Sequence, residues 1–155
     1  MNKKNNLGLD VCFMNEDDPY ALFKQWMSEA EKNEINDPNA VALATVNESN
    51  QPDVRMVLLK EFNNNGFTFF TNLNSKKGKD LKKIPKASMC FHWKSLLRQV
   101  RISGEISLIT DQDADQYFYS RPYLSKIGAW SSDQSKPMET RDSFLNKVNK
   151  YKNKF

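Results

Sequence analysis

Three short apolar runs joined by hairpin-length turns constrain the fold more than any other feature of this sequence. They cover residues 40–46, 52–60 and 66–71, and each is rich in β-branched, aliphatic or aromatic side chains. Such runs are typical of strands, and the Asn-, Ser- and Gly-containing stretches between them are typical of turns. Because short connections join antiparallel neighbours, the three runs predict an antiparallel meander.

Two more strands and several helices complete the predicted architecture, which is mainly β with peripheral helices. Asp18 before Pro19, Ser75 and Thr110 are the expected helix caps. Residues 1–16 are expected to form a flexible arm. Five strands joined mainly by short turns favour a small antiparallel barrel in one domain over residues 1–155. The remaining patterns predict strands over 87–93 and 97–108, helices over 19–33, 76–84, 111–120, 123–127 and 139–155, and a loop over 128–137.

Composition limits the class of protein without fixing its function. The 155 residues are 39% hydrophobic, which is enough for a buried core. No run of about 18 apolar residues predicts a membrane span, and residues 1–17 lack the apolar centre of a signal peptide. Cys12, Cys90 and the lone His92 have no zinc-binding spacing, so both thiols are expected to be free in a reducing cytosol. We therefore expect a cytoplasmic protein with no metal and no membrane partner.

The net charge of +4 leaves two classes of ligand open. Positive charge concentrates in residues 76–101 and again near the C-terminus. A nucleic acid and a small anionic ligand both require a local positive field, so the charge does not separate them.

The stretch Arg55-Met56-Val57-Leu58-Leu59-Lys60 is typical of a strand with a cation at each end. Arginine offers a planar fork of donors for phosphate and lysine a compact point charge, so such a strand can bind two anionic groups. On the hexamer alone, the simpler interpretation is an edge strand whose charges are solvated. If the strand is regular, Arg55 and Lys60 lie on opposite faces.

Two further stretches have the composition of anion sites. Residues 71–77 lead from a strand end into a helix N-terminus, where backbone N–H groups, Ser75 and two lysines can bind phosphate. An ordinary capped helix with a solvated lysine face explains this stretch equally well. Tyr117, Arg121 and Ser125 have helical spacing, but Pro122 interrupts the helix and would leave Ser125 near a new helix start. Taken alone, this triple is more often a surface feature.

No side-chain constellation for unaided catalysis is present. The histidine lies within a strand pattern, no cysteine has a neighbouring histidine, and the Walker A and GxGxxG phosphate-binding patterns are absent. With this inventory, chemistry would require a cofactor.

Five ordered motifs together resemble the bacterial pyridoxine/pyridoxamine 5'-phosphate oxidase family. They are PDVRMVLLK (52–60), FFTNLNSKK (69–77), RQVRISGE (98–105), YFYSRPYLSKIGAW (117–130) and Gln134-Ser135. The resemblance implies an FMN-binding split β-barrel that works as a homodimer, with flavin sites at the subunit interface. It also implies a phosphorylated B6 vitamer as substrate and no nucleic-acid partner.

The resemblance further implies a reaction and a set of contacts. The family transfers a hydride equivalent from C4' of the substrate to flavin N5, and oxygen then reoxidises the flavin to give pyridoxal 5'-phosphate and hydrogen peroxide. No side chain is assigned as catalytic. We hypothesise that Arg55 serves the flavin phosphate and Lys60 the substrate. The implied flavin contacts are Arg55, Met56, Val57, Leu58, Leu59, Lys60, Phe70, Thr71, Lys76, Lys77, Gln99, Gln134 and Ser135, and the implied substrate contacts are Lys60, Tyr117, Arg121 and Ser125.

The sequence departs from the family pattern in two places. Lys76 stands where the family usually has arginine, which keeps the charge but not the bidentate fork. The sequence stops at Phe155, whereas the family continues with a Trp-Gly-Gly segment and strands that carry an Arg-x-His motif. A truncated chain, a short natural homologue and a flavin binder with weak or no turnover all stay open. The alternatives to an oxidase are therefore an FMN or pyridoxal-phosphate binding protein without turnover, and a basic nucleic-acid-binding barrel.

Overall fold

The structure is a computed structural model of the chain, and it describes residues 17–154. Every strand and helix expected from the sequence is present. The predicted arm over residues 1–16, Cys12 and Phe155 lie outside the described residues. In chain order the elements are α1 (Pro19–Asn33), β1 (Ala40–Val46), β2 (Pro52–Asn63), β3 (Gly66–Phe69), α2 (Lys76–Lys83), β4 (Lys86–Trp93), β5 (Arg98–Glu105), α3 (Asp111–Ser120), α4 (Tyr123–Ser131) and α5 (Arg141–Lys152).

Two predicted strands were drawn too long. The fifth, predicted over 97–108, covers only Arg98–Glu105. It begins at Arg98 because Leu97 has a left-handed backbone (φ 54°) that closes a one-turn 3₁₀ helix over Lys94–Leu96. The third ends at Phe69 instead of Thr71, and the chain then enters a turn in which Ser75 N donates to Asn72 O at 3.0 Å. In both places a local turn competes with the strand pattern.

The predicted loop over 128–137 was wrong in its first part. Helix α4 continues to Ser131, whose hydroxyl donates to Ile127 O at 2.8 Å. The last helix begins at Arg141, two residues later than predicted, because Thr140 is its cap and accepts from Ser143 N at 3.0 Å.

The described residues group into two compact units. The first contains residues 17–44, Pro52–Phe70 and Ala87–Gly104. The second contains Thr45–Gln51, Thr71–Lys86 and residues 105–154. The prediction that the chain forms a single domain stays a prediction.

A five-stranded antiparallel sheet of order β3-β2-β1-β4-β5 confirms the predicted meander. In the β2–β3 hairpin, Asn63 pairs with Gly66 across a two-residue turn. Gly66 has a φ of 146°, which lies in the region that favours glycine. The register of this pair shifts by one residue between Leu59 and Glu61, so β2 has a bulge centred on Lys60.

Helix α1 and one face of the sheet build the core of the first unit. Asp18 caps the helix by accepting from Tyr20 N at 2.9 Å, and Pro19 occupies its first turn. The ring of Phe23 contacts those of Phe62 and Phe67 edge to face, at centroid distances of 4.8 and 5.0 Å. The buried core members are Phe23, Met27, Ala30, Val41, Leu43, Leu59, Met89, Phe91 and Trp93.

A buried arginine lies at the edge of this core. Arg98 donates to Glu29 Oε2 at 2.6 Å, and its guanidinium carbon lies 4.8 Å from the centre of the Trp26 ring. Because a buried guanidinium is costly without a partner, this ion pair is what permits an arginine at the start of β5. It also holds the pKa of the Glu29 carboxyl below its ordinary value.

Helices dominate the second unit. Helices α4 and α5 pack together, and the Tyr123 hydroxyl donates to Lys152 O at 3.1 Å. The ring of Trp130 contacts Tyr151 and Phe118 at centroid distances of 5.9 and 6.3 Å. This small aromatic cluster joins the three C-terminal helices.

The structure bears on two features that were considered from the sequence, the state of the cysteines and the presence of membrane-spanning helices. Cys90 is a free thiol, as predicted. None of the helices within residues 17–154 is long and apolar enough to cross a membrane. The cytoplasmic location stays a prediction.

Candidate functional site

Strand β2 presents two different faces. Val57 and Leu59 point with Arg55 toward the core side, whereas Val54, Met56 and Leu58 are 64%, 63% and 40% exposed on the other side. An exposed apolar stripe on a sheet commonly marks a surface for a ligand or a partner.

The prediction that Arg55 and Lys60 lie on opposite faces of β2 holds only if the strand is regular. Arg55 is on the core side, where it pairs with Asp53 Oδ2 at 2.8 Å and donates to Leu43 O at 3.3 Å. Lys60 is exposed and lies two positions after Leu58 in the sequence. The strand is not regular, however, because the bulge falls at Lys60 itself. Bulges re-aim side chains and are over-represented beside active sites.

Gln99 of β5 is exposed, as expected of a ligand contact on the outward face of the sheet. Ser103, which has the same strand parity, forms a 2.8 Å hydroxyl–hydroxyl contact with Ser88 of β4. Gln99 therefore lies on the same face of the sheet as Ser103 of β5 and Ser88 of β4.

Phe70 and Thr71 follow directly after β3, and both are half-buried. The Thr71 hydroxyl is fully buried and has no hydrogen-bond partner among the described residues. A buried hydroxyl without a partner costs free energy, so an unpaired one is a candidate ligand contact.

The N-terminus of α2 is built by close packing against the preceding turn. Ser75 is fully buried, caps the helix by accepting from Gly78 N at 3.3 Å, and donates to Asn72 O at 2.6 Å. A Cβ at Gly78 would lie 2.5 Å from Leu73 O, so only glycine fits there. This packing fixes the backbone from which Lys76 and Lys77 project.

The two lysines of this helix start have different partners. Lys76 forms an ion pair with Asp80 at 3.1 Å, one turn further along the helix. Lys77 Nζ donates to Gln134 Oε1 at 3.3 Å. The structure thus brings together two predicted flavin residues that are 57 positions apart in sequence.

The loop that carries Gln134 and Ser135 connects α4 with α5. Ser135 has a left-handed backbone with φ of 65°. Asp133, immediately before Gln134, pairs with Lys147 of α5 at 2.8 Å. Hydrogen bonding within this pair lowers the pKa of the Asp133 carboxyl and raises the pKa of the Lys147 ammonium.

The predicted triple of Tyr117, Arg121 and Ser125 does not lie on one continuous helix. Helix α3 ends at Ser120, and Pro122 precedes the first residue of α4. Arg121 lies in this break, and its guanidinium carbon is 5.9 Å from the centre of the Phe118 ring. Ser125 is in the first turn of α4, as predicted for an interrupted helix, and its N–H donates to Pro122 O at 2.9 Å.

The interpretation of the sequence missed Asp133 and Lys147. They are 14 positions apart, which is not a helical spacing, and one of them lies in a loop. No pattern in the sequence signals that pair. The unpaired Thr71 hydroxyl was within the predicted set, but its burial is a tertiary property.

Metal ions have no candidate site in the part of the chain that the structure describes. No three His, Cys, Asp or Glu side chains gather there closely enough to coordinate one. The polar members of the predicted site are instead cations, hydroxyls and amides, which can donate to an anionic organic ligand.

Sequence comparison decides the family. The profile of the pyridoxamine 5'-phosphate oxidase family matches residues 27–155. The chain is 58% identical over its full length to the pyridoxine/pyridoxamine 5'-phosphate oxidase of Pelagibacter ubique strain HTCC1062, of which it covers 74%. This chain belongs to the pyridoxamine 5'-phosphate oxidase family. The matched profile contains every motif from 52–60 to Gln134-Ser135.

Other members of the pyridoxamine 5'-phosphate oxidase family give the same result. The enzyme of that name from Allorhizobium ampelinum strain S4 is 55% identical over 139 residues, which are 90% of this chain and 68% of the relative. The one from Sinorhizobium fredii strain NGR234 is 57% identical over 83% of this chain and 63% of the relative. The chain therefore spans about two thirds to three quarters of these relatives.

Solved structures confirm the split-barrel fold of the family. PhzG from Burkholderia lata 383, solved with tetrahydrophenazine-1-carboxylic acid, matches 88% of this chain and 67% of its own with a TM-score of 0.83 at 24% identity. A pyridoxamine 5'-phosphate oxidase-related, FMN-binding protein from Nostoc punctiforme PCC 73102 matches 84% of this chain and 72% of its own, with a TM-score of 0.68 at 18% identity.

Proposed function

We propose that this protein binds FMN and oxidises pyridoxamine 5'-phosphate or pyridoxine 5'-phosphate to pyridoxal 5'-phosphate, with oxygen as electron acceptor. Its relatives named pyridoxine/pyridoxamine 5'-phosphate oxidase, at 55–58% identity, support this assignment. The single observation that carries it is the 58% identity, over the full chain, to the relative from Pelagibacter ubique. The 3.3 Å contact between Lys77 and Gln134 supports the FMN-binding part, because it joins two separate motifs that the family resemblance assigns to flavin binding.

The residues of the second unit fit an FMN phosphate. Such a group carries roughly two negative charges at neutral pH and accepts several hydrogen bonds. Lys77 offers a cation, the N-terminus of α2 offers backbone donors, and Thr71 offers a buried hydroxyl that has no partner among the described residues. We propose that these groups, with Lys76, Gln134 and Ser135, bind the phosphate end of FMN. The hypothesis that Arg55 serves the same phosphate stays a prediction.

When bound, FMN would supply the redox chemistry of the proposed oxidation, and oxygen would be the final electron acceptor. The chain's own residues would bind and orient the two ligands. We propose that Lys60, Tyr117, Arg121 and Ser125 bind the substrate phosphate. A cation with neighbouring hydroxyls suits a dianionic phosphate and fixes the position of the pyridine ring.

We also propose that the protein is a homodimer. Val54, Met56 and Leu58 present an apolar surface on β2 that is suited to burial in an interface. Light scattering after gel filtration measures the mass of the particle in solution. We expect twice the 18.0 kDa of one chain, and a particle of single-chain mass would contradict the dimer.

Absorbance and turnover test the function in two steps. The purified protein, as isolated or after addition of FMN and removal of the excess, is expected to retain a flavin spectrum. Addition of pyridoxamine 5'-phosphate in air is then expected to release hydrogen peroxide. Retained flavin without peroxide favours the second candidate, a binding protein without turnover. A colourless protein that does not retain added FMN contradicts both.

The variant Lys77→Ala tests the residues that we assign to the flavin phosphate. Loss of a charged donor to a bound anion is expected to raise the Kd for FMN about tenfold. Lys79→Ala is the matched control, because Lys79 is an exposed lysine of the same helix. Equal losses of affinity in both variants would show a general charge effect and contradict the specific contact.

A further inference from the structure

Two consecutive residues of the α4–α5 loop are fixed by side-chain interactions, and the third has an unusual backbone conformation. Asp133 pairs with Lys147 of α5 at 2.8 Å, and Gln134 accepts from Lys77 of α2 at 3.3 Å. Ser135 follows with a left-handed backbone. The loop is otherwise exposed, so these interactions define its conformation.

The backbone of this loop does not hold such a conformation by itself. A non-glycine residue in the left-handed region costs about 1 kcal/mol and persists where neighbouring contacts require it. The turn that contains Ser135 is closed by Lys136 N, which donates to Asp133 O at 3.1 Å. Asp133 therefore belongs both to the turn and to the ion pair with α5.

We infer that the Asp133–Lys147 ion pair is a positioning device that holds Gln134 and Ser135 in their FMN-binding conformation. This inference rests on the proposed function of Gln134 and Ser135. Lys147 acts through Asp133 and needs no contact with the flavin. Without the ion pair, the loop populates its binding conformation for a smaller fraction of the time, and the apparent affinity for FMN falls by that fraction.

A different role for Lys147 predicts a different result. If its charge simply attracted the FMN phosphate through space, loss of Lys147 would weaken binding and loss of the Asp133 carboxylate would strengthen it. If the ion pair positions the loop, loss of either partner weakens FMN binding. The two single variants therefore separate the two roles.

The experiment is an FMN titration of the full chain and its variants, in which quenching of flavin fluorescence measures the bound fraction. Lys147→Gln and Asp133→Asn are each expected to raise the Kd about three- to fivefold, the range open to an exposed ion pair. The reversed pair Asp133→Lys with Lys147→Asp is expected to return to within about twofold of wild type. The control is Lys83→Gln, which breaks the exposed Lys83–Glu48 pair at 3.3 Å and is expected to leave the Kd unchanged.

Hydrogen exchange supplies a readout that does not depend on flavin. In both single variants, amides of residues 132–137 are expected to exchange faster than in wild type, while the Lys83→Gln control does not change them. Thermal midpoints serve as the check that every variant is folded.

Each outcome has one meaning. Tighter FMN binding by Asp133→Asn, unchanged Kd and unchanged exchange in the single variants, or no recovery in the reversed pair overturns the positioning role. If wild type itself binds no FMN, the proposed function fails and the inference fails with it. Wild-type binding with unaffected variants overturns the inference and leaves the proposed function standing.

Discussion

The two compact units of this chain treat aromatic rings and charges differently. The first buries Phe91 completely and encloses Arg98 at 7% exposure beside Glu29. The second leaves Trp130 50% exposed and keeps the Asp133–Lys147 pair at the surface. Buried apolar area contributes most of the stability of a domain, whereas an exposed ion pair contributes little. The difference indicates that buried packing contributes more to the stability of the first unit than the aromatic cluster and the exposed ion pair contribute to that of the second.

The largest expected effect separates the two aromatic clusters. Phe91→Ala removes a fully buried ring that contacts Phe23 and Trp93, and we expect a loss of about 3–5 kcal/mol in the free energy of unfolding. Trp130→Ala in the second unit removes a half-exposed ring, so the loss should be markedly smaller. Urea unfolding measures both. Equal losses of stability in the two variants would contradict the difference between the two aromatic clusters.

A middle-sized effect shows where the second unit is packed tightly in spite of its exposure. Gly78→Ala places a Cβ 2.5 Å from a backbone oxygen, and we expect a loss of about 1–3 kcal/mol. Gly128 lies inside α4 with nothing within 4 Å of an added Cβ, so Gly128→Ala is expected to be neutral or to stabilise by up to about 1 kcal/mol. Thermal and urea unfolding distinguish them. A stabilising Gly78→Ala would contradict the close packing at the start of α2.

The smallest expected effect concerns the charges of the first unit. Arg98→Met keeps the volume but removes the ion pair with Glu29 and the contact with Trp26, and we expect a loss of about 1–2 kcal/mol. The estimate is modest because water screens the part of Glu29 that is exposed. If Arg98→Met is as stable as wild type, the buried ion pair contributes no more to stability than the exposed pairs do.

The same pair predicts a pH dependence with a definite sign. The hydrogen bond from Arg98 lowers the pKa of Glu29 in the folded state, so its stabilisation is fully present above the unfolded value of about 4.3. It is lost as the pH falls through the lower folded value. Urea unfolding of wild type and Glu29→Gln should differ by a constant amount from pH 7 to about 5, and the difference should shrink in more acidic solution. A difference that grows with acidity would contradict this assignment.

Elements that depend on local chemistry were predictable from the sequence. Asp18, Ser75 and Thr110 cap helices where the pattern placed caps, and β1 has the predicted bounds. Strand β2 alternates exposed and less exposed side chains from Pro52 to Lys60, whereas the bulge at Lys60 was not predicted. Predicted strand boundaries were wrong where a local turn replaced the end of a strand. This happens at Leu97, whose left-handed backbone has no strong signal in the sequence.

Residue types and their spacing were enough to predict the succession of strands and helices along the chain, the motifs and the family, because these features depend on residues that lie near one another in sequence. Only the packed structure shows that Lys77 contacts Gln134, that Asp133 pairs with Lys147 and that the Thr71 hydroxyl is buried without a partner among the described residues. Contacts between residues 14 to 57 positions apart depend on how complete elements pack, and residue spacing does not encode that packing.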